Sequence, residues 1–242
     1  NIERINYVGL AIRAANTLER KYEEALLTID ALASTYVEEN KYDEAYTEIY
    51  RGIELAEKVK GADIQTNELL ALGSAWAARV KIEQDRTRLV GEARELIELA
   101  LKFNDPSQPW IRFRILMAAG DIFLKQNQSS EALQMFLDAK KEMIKYGGEG
   151  NYYQINPRIG LAHLALDSVP EAEEIFADLS SQNTISIGKL YGDYGLALIK
   201  FKKDDTNKAN LLLDNVKAEL SKRTSSNLLL KLIKEFEETW KR

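Results

Sequence analysis

The residue types that could carry proton or group transfer are scarce in this chain. Among 242 residues there is one histidine, His163, and no cysteine. That inventory rules out a His-based metal cluster, a Cys/His dyad and a Ser/His system needing a second histidine. It also removes disulfides and thiol chemistry. Carboxylates do come in adjacent pairs, at Glu23-Glu24, Glu38-Glu39, Glu173-Glu174 and Glu237-Glu238. On a helix, however, neighbours point about 100° apart and do not converge on one proton or metal. One glycine-rich stretch, Gly147-Gly148-Glu149-Gly150, invites a phosphate-loop reading. A phosphate loop needs a preceding strand, and the P-loop form a following Lys and Ser/Thr. Here Lys145-Tyr146 precedes it and Asn151-Tyr152-Tyr153 follows, so it reads as a flexible helix–helix connector. No enzymatic activity, no metal and no cofactor are expected.

What positions the remaining residues is a pattern that recurs down the chain. Gly120 is followed at +3 by Phe123, at +7 by Asn127, at +12 by Ala132, at +16 by Phe136 and at +19 by Ala139. Small residues where two helices cross, aromatics filling the gaps and a turn residue between describe a tight antiparallel hairpin. Gly160, His163, Asp167, Ala172, Phe176 and Leu179 repeat the spacing. Ala197, Lys200, Asp204, Ala209, Leu213 and Val216 do so again, and Ala33, Tyr36, Asn40, Ala45, Ile49 and Gly52 do so upstream. His163 therefore stands at the +3 position, where packing is expected of it. A longer unit opens at Gly73 and Trp76 and closes at Ala93, Ile97 and Ala100. Its eight extra residues are about two helical turns. The alanines Ala45, Ala93, Ala132, Ala172 and Ala209 follow one another at 48, 39, 40 and 37 residues. A hairpin repeated in this way buries its apolar face only by stacking on its neighbours.

Over roughly residues 22 to 220 this resembles the tetratricopeptide repeat (TPR) family, whose unit is about 34 residues long. The longer pitch resembles the variants in kinesin light chains, LGN-type adaptors and the sensor regions of MalT-like transcription regulators. The resemblance implies an all-α, right-handed superhelical solenoid of antiparallel hairpins with about twelve helices. These are expected at 2–19, 22–39, 42–60, 64–84, 87–104, 109–127, 130–146, 157–167, 170–180, 185–202, 206–222 and 226–240. One array over 1–242 follows, with 2–19 as an N-terminal capping helix, about five hairpins over 22–222 and 226–240 as a C-terminal cap. The last stretch carries Leu228, Leu229, Leu232, Ile233, Phe236 and Trp240 along one side, and the alternative is that it swaps into a partner chain and drives dimerisation. Asn156 before Pro157 and Ser168-Val169 before Pro170 read as helix starts, with proline in the first turn; Asp105-Pro106 and Pro109 close one helix and open another.

In such arrays the first helix of each hairpin lines the concave side. The resemblance then assigns peptide contacts to Arg114, Met117, Asp121 and Lys125, to Gln154, Leu161 and Ala165, and to Tyr191, Tyr194, Leu198 and Lys202. The lysine, asparagine and arginine clamp of chaperone-tail binders is absent. What remains implies a non-catalytic scaffold or adaptor gripping a peptide or helical segment. The second reading is a sensor module that binds a small ligand or signalling peptide and controls a fused effector. Tyr152, Tyr153, Tyr191 and Tyr194 suit an interface, since tyrosine offers apolar area with a polar tip; they equally suit packing between hairpins. The net charge of −5 speaks against a nucleic-acid surface, and the run Lys200-Lys202-Lys203 meets Asp204-Asp205 at once. No stretch approaches the roughly 18 apolar residues of a membrane span, and no signal peptide is seen. A cytoplasmic protein is expected. Asn1 in place of methionine reads as the start of a trimmed or processed fragment.

Overall fold

In the computed structural model, which describes residues 2–17, 19–58, 63–84, 90–103, 109–147, 152–182, 186–222 and 227–240, twelve helices follow one another, with no strand among the described residues. They are α1 (Ile2–Thr17), α2 (21–38), α3 (Tyr42–Glu57), α4 (Asp63–Gln84), α5 (Val90–Phe103) and α6 (Pro109–Lys125). Then come α7 (Ser129–Lys145), α8 (Tyr152–Ala165), α9 (Val169–Ser180), α10 (Ile187–Lys202), α11 (Thr206–Ser221) and α12 (Asn227–Trp240). The turn positions of the repeat govern the hairpins. Asn40, Asn127, Asp167 and Asp204 all have φ between 58° and 62°, the left-handed conformation that Asn and Asp tolerate best. Each lets the next residue's N–H reach back to the +3 carbonyl. Lys41 donates to Tyr36, Gln128 to Phe123, Ser168 to His163 and Asp205 to Lys200, all at 2.9 Å. This six-to-one bond ends a helix and reverses the chain in one step.

The small residues admit the aromatics as the spacing requires. A methyl group on Gly120 would stand 2.3 Å from the Phe136 ring, and one on Gly160 would stand 2.6 Å from Phe176. Phe176 also presses on Gly195 of the next hairpin, where a methyl would meet it at 2.2 Å. One buried ring thus locks its own hairpin and keys it to its successor. The core is correspondingly a row of linked clusters: the first spans α2 to α6, the second joins α6, α7 and α8, and two more cover α9 to α12.

Three local features differ from the sequence expectation. The α1–α2 turn uses Glu19 at φ 58° and an Arg20 N–H to Ala15 carbonyl bond of 2.9 Å, so it closes as the other hairpins do. Ile12 and Ala15 are buried there, and the Asn16 side chain donates to Glu24 at 3.0 Å. Helix α8 starts at Tyr152, earlier than the expected 157, and carries Pro157 inside it. The gain that offsets one missing N–H is burial of Ile155 and Ile159 against Phe136 and Met143. Finally, α2 relaxes into a π-helical segment at Leu27–Leu32, between α-helical Lys21–Leu26 and Ala33–Glu38. The central part of the glycine-rich connector (148–150) and the Asp105-Pro106 break lie outside the described residues, as do the side chains of Tyr152, Tyr153, Leu228 and Trp240.

Candidate functional site

The inner face is built from α2, α4, α6, α8 and α10, and its polar residues pair from helix to helix. Arg158 of α8 holds Asp121 of α6 with two parallel bonds, Nε to Oδ1 at 2.7 Å and Nη2 to Oδ2 at 3.1 Å. Its third donor reaches the Gln154 carbonyl at 2.7 Å. Lys125 of α6 reaches Glu83 of α4 at 3.1 Å. Arg114 of α6 reaches Asp30 of α2 at 3.4 Å, and the Trp76 indole N–H donates to the same carboxylate at 3.0 Å. Asp30 sits on the π-helical segment, where an added residue per turn re-aims side chains; such bulges collect at functional sites.

The last helix lies across this face. Lys231 of α12 donates to the Glu83 carboxylate at 2.7 Å, to the Glu83 carbonyl at 3.1 Å and to the Tyr42 hydroxyl at 3.0 Å. Leu229 and Ile233 are buried against α10 and α11, and the Phe201 and Phe236 rings stand 5.0 Å apart. One amphipathic helix therefore covers the end of the array and ties it back to α3 and α4.

These neighbours set the charges. Burial alone would raise the Glu83 carboxyl, but Lys125 and Lys231 override it and hold its pKa down at about 2. Burial opposes the charge on Arg158 too, yet Asp121 raises its pKa above the ordinary value. Arg79 is the exception: burial, then the nearby Arg158, lowers it, and Asp121 and Glu83 compensate only in part. Its guanidinium lies 5.1 Å from the Trp76 ring centre, in cation–π contact.

The residues that the resemblance assigned to peptide contact are placed in different surroundings. Arg114, Asp121 and Lys125 face inward and are all engaged in the pairs above, with Gln154 beside them in a cleft lined by Trp110, Phe113, Arg114, Met143 and Tyr146. Tyr191 is half-buried near Arg158 and Arg79, and burial raises its hydroxyl pKa. Tyr194 is only 4% exposed and donates to the Leu232 carbonyl at 3.3 Å, so α12 covers it. Met117 is buried in the cluster joining α6, α7 and α8, Leu161 and Leu198 pack against the separate cluster of α10 to α12, and Ala165 is exposed. Lys202 pairs with Asp167 at 2.5 Å at the solvent-exposed end of α10. Sequence reasoning missed Asp30, Arg79, Glu83, Arg158 and Lys231. Arg158 lies one turn beyond Gln154 and was legible by that spacing; the others had no such signal. Among the described residues no group of three His, Cys, Asp or Glu could hold a metal ion, and no helix is long and apolar enough to cross a membrane.

No family model matches the sequence. Over 208 residues the chain is 27% identical to the transcription activator GutR of Bacillus subtilis (strain 168), covering 85% of this chain and 24% of that protein. It thus spans about a quarter of the length of that curated relative. Among solved structures, BtubC (BKLC) from P. vanneervenii aligns over 93% of both chains with a TM-score of 0.63 at 16% identity. A putative kinesin light chain from Podosopora anserina with nearly identical TPR-like repeats aligns at 0.53 and 18% identity, over 85% of this chain and 95% of that one. The fold is accordingly a TPR-like α-solenoid.

Proposed function

We propose that this chain is a non-catalytic regulatory module: its inner face receives a ligand or peptide, and the array passes the resulting change to effector segments of a longer transcription regulator. The observation that carries the reading is the 27% identity to a transcription activator of which this chain matches only a quarter. The inner face supports it physically. A row of ion pairs joining α2, α4, α6, α8 and α12 couples many repeats, so a ligand that breaks or adds one pair biases the whole array. The TPR-like scaffold supports protein interaction in general, and the seating of amphipathic α12 keeps the free-standing adaptor as a second reading, since a groove that takes one such helix suits another.

The two readings part in one experiment on the full-length gene product in its native host. Transcript levels are compared by RNA sequencing between wild type and Asp121→Ala, which leaves Arg158 without its partner. A regulatory module predicts that a defined set of transcripts is lost or locked on at unchanged protein abundance. An adaptor predicts unchanged transcripts and a changed set of co-purified proteins, which would refute the regulatory reading.

A further inference from the structure

One stretch of the inner face carries more cations than anions among the described residues. Around Trp76 and Glu83 stand Arg79, Arg114, Lys125, Arg158 and Lys231, against the carboxylates of Asp30, Glu83 and Asp121. Overall the chain carries −5, so this local excess runs against its composition. The surplus is localised. Arg79 has no hydrogen-bond or ion-pair partner among the described residues, and its Nε is sealed from solvent. The Nε of Arg114 is likewise sealed and unpartnered, although its Nη2 meets Asp30. Both guanidinium groups lie over the same Trp76 ring, at 5.1 Å and 5.8 Å from its centre. Arg158 stands close enough to disfavour the Arg79 charge. A donor closed off from water without an acceptor is costly, and here the Nε atoms of two guanidinium groups are left so beside a third group that is fixed by Asp121.

We propose that Arg79 of α4 and Arg114 of α6, which both lie over the Trp76 ring, form a binding site for the phosphoryl group of a small phosphomonoester, bordered by the Asp121-bound Arg158 of α8. A dianion matches the surplus of two cations among the residues named around Trp76 and Glu83. Its tetrahedral oxygens offer acceptors in different planes to the Arg79 and Arg114 guanidinium groups, where a planar carboxylate serves one fork well. The indole ring holds the Arg79 and Arg114 guanidinium groups beside one another, and α12 already lies across the inner face, which favours a small molecule over a long chain. The site rests on the reading of the inner face as the receiving surface and gives it a ligand class.

The test is thermal denaturation and calorimetric titration of the intact chain with glycerol phosphate and inorganic phosphate, against chloride at equal ionic strength. At a hundred times the dissociation constant the expected rise in Tm is about 5–10 °C. Arg79→Met is expected to weaken binding at least tenfold while the chain stays folded in chloride. Arg79→Lys, which keeps the charge and loses the fork, binds more weakly while staying folded, and Lys141→Gln on the outer surface keeps the full response. Phosphate also stabilises proteins by exclusion from their surface, so a rise that persists unchanged in Arg79→Met and Arg158→Met overturns the site. So does binding of a phosphoserine peptide without binding of glycerol phosphate, or the absence of any response in wild type. Such results leave the regulatory reading to its own transcript assay.

Discussion

Replacing Glu83 with glutamine removes the negative charge that Lys125 and Lys231 share, and the structure fixes both the size and the pH range of the effect. The Glu83 side chain is 9% exposed and its carboxyl is held at about 2, against an ordinary value of 4.5. That depression corresponds to about 3 kcal/mol of stability. Because the folded pKa lies below the unfolded one, the contribution is complete above pH 4.5. It fades as pH falls from there through about 2, when the carboxylate protonates in the folded chain too. In a protein of this size 1 kcal/mol moves Tm by roughly 2–4 °C. Wild type is therefore expected to melt roughly 6–12 °C above Glu83→Gln at pH 7, with the gap closing toward pH 2. Melting both proteins by circular dichroism from pH 7 to pH 2 isolates this residue, since the other carboxylates titrate alike in the two. A gap that is the same at every pH, or absent at pH 7, refutes the claim that Glu83 anchors α12 electrostatically.

Three further outcomes follow from backbone and packing. Gly120→Ala gains about 1 kcal/mol of helix propensity, but its methyl would stand 2.3 Å from Phe136. Overpacking costs about 1–3 kcal/mol, so chemical denaturation is expected to show a net loss, whereas Gly91→Ala, with nothing within 4 Å, gains up to about 1 kcal/mol. Glu19→Gly is expected to stabilise by up to about 1 kcal/mol, because Glu19 occupies φ 58° without the tolerance of glycine; a loss in the same denaturation assay contradicts that account.

The parts of the fold that were legible in sequence are those where local sterics restrict residue type. Asn40, Asn127, Asp167 and Asp204 mark their turns because few residues accept a left-handed backbone, and Gly120 marks a crossing because a ring must enter. Glu19 does the same work with no such preference, so its turn left no trace. Pro157 misled because proline favours a first turn; the burial of Ile155 that extends α8 backwards is a tertiary effect. The π-helical segment of α2 has no residue signature, yet it carries Asp30 to Trp76 and Arg114. Repeat spacing named Arg114, Asp121 and Lys125, but not their partners, since pairs such as Lys231 with Glu83 depend on curvature accumulated over many repeats.

The central claim is that function resides on the inner face. The most direct measurement is a substitution scan of the full-length protein in its native host, reading transcriptional response for variants kept at normal abundance. The account predicts that loss of response concentrates at Arg79, Arg114, Asp121, Lys125 and Arg158. Exposed polar positions on the outer helices, such as Glu95, Glu98 and Lys141, should tolerate change. A response that collapses at the outer positions and survives at the inner ones would contradict it.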